Sequence, residues 1–180
     1  MRYHKWHTSD VFKIGTLIIL GLYFLNASLI PEKWTFLDGV NLIFHEAGHV
    51  LFMFFGQFLA IAGGSITQIL IPVVFFVYFF LNRMYFSAYV ILFWVGHNFI
   101  SVSVYAGDAI KQSLPLLGGE SVTHDWNYLL STLGILESAP LIAGLFFWTG
   151  VILYFIATAS GIYHVAKEKA FLTINERTKI

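Results

Sequence analysis

Apolar residues run through this chain in long blocks separated by short polar stretches. A helix needs about 20 mostly apolar residues to cross a bilayer. Five blocks qualify or come close: 11–30, 38–62, 66–81, 84–106 and 141–165. Pro31 closes the first, Gly63 and Gly64 are expected to end the second, and Pro72 predicts a kink inside the third. Between the last two blocks, 107–140 is the least regular stretch. Its part 126–136 predicts a short helix capped by Thr123 or Asp125, either an interfacial or re-entrant piece or a sixth crossing. The expected fold class is all-α, a polytopic membrane helix bundle of about five to six transmembrane helices.

Composition agrees with lipid as the main solvent. The chain is 58% apolar and only 11% charged, where soluble domains carry about 25% charged residues. With 180 residues, no internal repeat and no long linker, 1–180 reads as one integral membrane domain with polar termini at 1–10 and 168–180. The first apolar block is too long for a cleavable signal and reads as a retained membrane helix. Formal charge is zero, and no basic patch suggests nucleic acid. The expected partners are membrane lipid and a membrane protein or peptide substrate. Basic residues flank both ends (Arg2, Lys5 and Lys13; Lys167, Lys169, Arg177 and Lys179), so the positive-inside rule puts both ends in the cytoplasm. That requires an even number of crossings.

There are no cysteines, so disulfides and thiolate metal sites are excluded. Any metal must be held by nitrogen or oxygen donors. His45-Glu46-Ala47-Gly48-His49 supplies them as an H-E-x-x-H motif. On a helix the two histidines share a face one turn apart and can grip one Zn²⁺ ion, while the carboxylate between them reaches a metal-bound water as general base. Its ionisable residues sit in an apolar block, where each charge costs at least ~2.5–3.5 kcal/mol at mid-depth. A divalent ion compensates that cost; a buried polar cluster binding helices together is the other reading. Gly48 leaves the helix surface open for a substrate or for a packed neighbour.

Catalytic zinc usually takes three protein ligands. The chain offers His97, Asp108, Glu120, His124 and Asp125 for the third. His97 lies mid-way along its block and could instead be an interhelical histidine bonded to Asn98 and Ser101. Asp108 is a carboxylate at the end of that block, set at a different depth from His45 unless 107–123 re-enters the membrane; otherwise it pairs with Lys111. His124-Asp125 could ligate, orient a ligating histidine, or cap a helix. Asn41 and Gln68 read mainly as interhelical hydrogen-bonding groups, and the phenylalanine pairs as packing.

The HEAGH motif followed by a glycine pair resembles the site-2 protease-like intramembrane zinc metalloproteases. The resemblance covers about 38–125 and is specific at HEAGH. It implies a zinc peptidase with His45, His49 and Glu46 in the motif's roles and an aspartate from a later helix, matched by Asp108, as third ligand. It also implies that Gly63-Gly64-Ser65 is the turn after the catalytic helix. Asp108 follows a glycine where the family's aspartate precedes one, and no PDZ domain is present. The stretch LPLLGGESVTHDWNYLL looks like a motif of small bacterial membrane proteins and points to a bacterial cell membrane. The leading expectation is an intramembrane zinc metalloprotease. A zinc-dependent hydrolase of lipid amides or esters is the second, and a non-enzymatic metal-binding or transport protein the third.

Overall fold

The computed structural model describes residues 8–114 and 124–177. Its elements are all helical: α1 (Thr8–Ser28), α2 (Phe36–Phe52), α3 (Gln57–Leu81), α4 (Tyr85–Gly107), α5 (Asp125–Thr132) and α6 (Ala139–Arg177), with 3-10 turns at Met53–Phe55 and Leu136–Ser138. No strand occurs among the described residues.

Four helices are long and apolar enough to cross a bilayer: α1, α3, α4 and the stretch containing most of α6. Length and composition thus mark a membrane protein. The expectation of about five to six crossings is corrected to four among the described residues. The reason lies in the glycines. The chain breaks at Gly56, whose φ of +92° is open to glycine and strained for any side chain. It does not break at Gly63-Gly64, which lie inside α3. The second block is therefore shortened to α2, of 17 residues. At 1.5 Å per residue that is about 26 Å, short of a hydrocarbon core of about 30 Å. The third block is lengthened to α3, of 25 residues, which continues through Pro72. The irregular stretch forms only the eight-residue α5, too short to cross.

Glycines also set how closely the helices pack. α4 is central and lies against α6, where a Cβ placed on Gly150 would come 2.6 Å from the Gly96 carbonyl oxygen. Stacked rings of Phe24, Phe93 and Tyr154 seal that crossing with α1, at centroid separations of 5.6 Å (Phe24–Phe93) and 5.3 Å (Phe24–Tyr154). α2 and α3 form a hairpin closed at Gly48 and Gly63, with a Cβ on Gly63 falling 2.6 Å from the Gly48 carbonyl oxygen. Small residues at such crossings let backbones meet where no hydrophobic force separates helix from lipid. Large apolar side chains, Phe12, Leu22, Val74, Trp148 and Phe155 among them, face outward.

Polar contacts close the first turn of α2 and tie α5 to this frame. Asp38 Oδ2 accepts hydrogen bonds from the Thr35 backbone N–H (2.7 Å) and hydroxyl (2.6 Å), closing the first turn of α2. α5 folds back over the bundle: Trp126 Nε1 donates to Ser65 Oγ on α3 (3.2 Å), and Asn127 Nδ2 donates to the Ala109 carbonyl just past α4 (2.9 Å).

Candidate metal centre

HEAGH lies within α2, and its two imidazoles stand one turn apart with centroids 4.8 Å from each other. The space they occupy is made by Gly64, where a Cβ would come 2.7 Å from both His45 Nε2 and His49 Cε1. The glycine pair expected to form a turn thus has another use: Gly63 lets the backbones meet and Gly64 leaves room for the rings.

Asp125, the first residue of α5, completes the group. Its Oδ2 lies 2.9 Å from His45 Nε2 and 3.2 Å from His49 Nε2. One ligand atom from each residue can be chosen so that all lie within 4.8 Å of one another. Ligand atoms about 2.05 Å from a tetrahedral ion stand about 3.3 Å apart, close to the spacing from Asp125 to each imidazole.

The outer nitrogens decide how this cluster must be read. His49 Nδ1 faces the Ala60 carbonyl at 2.9 Å, and His45 Nδ1 faces Gln68 Oε1 at 3.0 Å. Both acceptors call for N–H at Nδ1. Neutral imidazoles then present lone pairs at Nε2, and both lone pairs point at one carboxylate oxygen. Two imidazolium ions around one carboxylate would relieve that clash, as would a cation taken by all three. Carbonyl partners that fix the Nδ1 tautomer and free Nε2 are the usual outer contacts of metal-binding histidines. Two nitrogens and one carboxylate oxygen match a catalytic zinc donor set, and His49 and Asp125 are partly exposed. Burial works to raise the pKa of Asp125; hydrogen bonds from His45 and His49, where their Nε2 atoms carry protons, outweigh it and hold the group below its ordinary value.

Glu46 is exposed and makes no hydrogen bond or ion pair among the described residues. Its charge is near enough to act on His49 and on Tyr105. Tyr105, which the sequence reading passed over, stacks on His45 with centroids 6.0 Å apart and planes at 26°. Its neighbourhood with the motif is set by the packing of α2 beside α4 and has no signature in the sequence.

The other expected ligands stand apart from this group. Asp108 caps the turn after α4: its Oδ1 accepts from the Ser113 backbone N–H (2.9 Å) and hydroxyl (2.7 Å), and its Oδ2 from the Leu114 N–H (2.9 Å). A difference in depth is not what excludes it, since His45 packs on Tyr105, three residues earlier. Its oxygens are already engaged. His124 precedes α5 and turns its Nδ1 toward Asp108, at 3.9 Å. His97 is an interhelical histidine, but its partners are Asp38 Oδ1 at 3.0 Å and Thr35 Oγ1 at 3.3 Å, in place of Asn98 and Ser101. Asn41 accepts from Trp94 Nε1 at 2.7 Å, an interhelical bond of the expected kind. Glu120 and Thr123 lie outside the described residues.

Fold and site together define a polytopic membrane protein with a His–His–Asp group toward one end of its helix bundle. Neither a protein-family model, nor a curated protein, nor a solved structure matches the chain.

Proposed function

We propose that the protein is an intramembrane zinc metallopeptidase, with His45, His49 and Asp125 as zinc ligands and Glu46 as general base. The single observation that carries this reading is the convergence of two imidazole Nε2 atoms on one Asp125 oxygen while both Nδ1 atoms face carbonyl acceptors. The likeness of HEAGH to the site-2 protease-like family supplies the substrate class, a peptide bond in or near the membrane. That family draws its third ligand from an aspartate on a later helix, and Asp125 on α5 fits that role. The likeness of the segment around His124 to small bacterial membrane proteins supports a bacterial cell membrane as its location.

A bound zinc ion supplies Lewis acidity: it polarises a carbonyl and brings the pKa of water down toward ~7. The protein's own groups do the rest. The Glu46 carboxylate takes a proton from the attacking water as the new C–O bond forms, and returns it to the amide nitrogen as the C–N bond breaks. Gln68 and the Ala60 carbonyl hold the imidazoles in the tautomer that leaves Nε2 free.

Glu46→Gln tests the assignment. Purified protein in lipid nanodiscs should hold one zinc per chain by elemental analysis, in wild type and variant alike. Wild type should cleave a membrane-spanning peptide, and the variant should lose at least about 10²-fold in rate, the usual share of general-base catalysis. Cleavage of lipid amides or esters but not peptides would move the protein to the lipid-hydrolase reading. Zinc binding with no hydrolysis of either would leave a binding or transport protein.

A further inference from the structure

We propose that Tyr105 is a second catalytic residue of this centre, its phenol donating a hydrogen bond to the carbonyl oxygen of the bond under attack. The inference rests on the peptidase reading above and adds to it a group that H-E-x-x-H does not contain.

The position of the ring is the first ground. Tyr105 sits in the last turn of α4 and lies over His45 in a near-parallel stack, with centroids 6.0 Å apart. A carbonyl held beside the His45–His49–Asp125 group would therefore meet this aromatic wall. The freedom of the hydroxyl is the second. Tyr105 is only partly buried, and its Oη has no hydrogen-bond partner among the described residues. Tyr89, on the same helix, instead has its hydroxyl engaged with His164 Nδ1 at 3.1 Å. The third ground is its neighbours. The imidazole it stacks on is the one whose Nε2 faces Asp125 Oδ2 at 2.9 Å, and Glu46 follows that histidine in α2.

An ordinary phenol keeps its proton at neutral pH, so Oη is a donor. Negative charge builds on the carbonyl oxygen as water adds, and a fixed donor aimed at that oxygen strengthens as the charge develops. Glu46 carries no proton to spare at that stage, and Asp125 is an acceptor only. Tyr105 is a donor without a partner among the described residues; Gln68 Nε2 is another, on the amide that faces the outer nitrogen of His45. The phenol transfers no proton: the C–O bond forms and the C–N bond breaks through the water and Glu46, as set out above.

Tyr105→Phe keeps the stacked ring and removes only the O–H. Three measurements in nanodiscs test it: zinc affinity, the affinity of a peptidyl phosphinate that mimics the tetrahedral carbon, and peptide cleavage. Zinc affinity should stay within twofold of wild type, because the ring over His45 is unchanged. Phosphinate affinity should fall at least tenfold. kcat should fall about 10²–10³-fold, the usual cost of losing one such donor, with KM little changed. A loss of zinc affinity would make the phenol a ligand or a prop for His45 and overturn the proposal. Equal phosphinate affinity and kcat in the two proteins would overturn it while leaving the peptidase reading intact. A wild type that binds zinc but neither cleaves peptide nor binds phosphinate would overturn both.

Discussion

Two histidine–aspartate clusters tie α2 to the rest of the molecule, and their shortest contacts barely differ in length. His97 Nε2 meets Asp38 at 3.0 Å, and His45 Nε2 meets Asp125 at 2.9 Å. Their surroundings differ in the number of donors that converge and in how far the group is closed off. Asp38 devotes one oxygen to the first turn of α2 and the other to a single imidazole. One proton between that imidazole and that carboxylate satisfies both, and Phe24 packs against the ring, 5.7 Å between centroids. His97 and Asp38 are nearly closed off, at 8% and 12% exposure; His45 is as closed, at 10%, but Asp125 and the second imidazole, His49, are 22% and 27% exposed. Around Asp125 two imidazoles share one oxygen, and their outer nitrogens are already committed. Distance alone does not distinguish a structural pair from a ligand set. The number of donors that converge, counted after their other contacts are assigned, does.

Deleting ligands on each side of this comparison has the largest effect. Asp125→Ala or His45→Ala leaves two protein donors where a catalytic zinc site needs three. Zinc per chain should fall from one to near zero by elemental analysis. His97→Gln, which keeps a side-chain donor for Asp38, should retain one zinc per chain. Its cost belongs to stability, because weakening a buried hydrogen bond leaves Asp38 poorly matched. Zinc loss in His97→Gln with retention in Asp125→Ala would reverse the assignment of the two clusters.

A smaller effect separates the inner contacts from the outer ones. Gln68→Leu removes the acceptor facing His45 Nδ1 and leaves every ligand atom in place. Outer partners of this kind are worth about 10–100-fold in metal affinity. Titration against a competing chelator should show a loss in that range, with stoichiometry unchanged at saturating zinc. The same substitution should leave the His97–Asp38 pair untouched. An unaltered zinc affinity would mean that Gln68 serves only to join helices.

How much of this was legible in the chain depends on whether the signal is local. The apolar blocks and HEAGH are local, and the helices and the two imidazoles follow from them. The glycines at 56, 63 and 64 are chemically identical, yet one breaks the backbone and two open space between helices. Only the facing surface of α2 separates these uses. Asp108 and Asp125 are likewise both aspartates next to irregular backbone. The choice between them depends on α5 folding back onto Ser65 and Ala109, contacts of 61 and 18 residues' separation. Tyr105 is one aromatic among many in an apolar block, and its role arises only from its neighbour across the helix pair.

The smallest expected effect is also the one that most directly separates those two aspartates. The family likeness favours Asp108 as third ligand, whereas the geometry favours Asp125. Both carboxyl groups are held below their ordinary pKa in spite of burial, which by itself raises it. At Asp108 the offsetting bonds come from the Ser113 side chain and the Leu114 and Ser113 backbones; at Asp125 they come from the two imidazoles. Asp108 is therefore ionised near neutral pH but directed at its own turn. Asp108→Asn keeps an acceptor oxygen for that turn and loses a charge that no ligand nitrogen touches. Zinc affinity should change less than twofold, and any cost should appear as a modest fall in melting temperature. Asp125→Asn keeps the same shape at the other position, yet it removes the anionic donor. It should lose most of its zinc affinity with little change in melting temperature. A zinc loss that follows Asp108 and spares Asp125 would mean that α5 does not supply the third ligand.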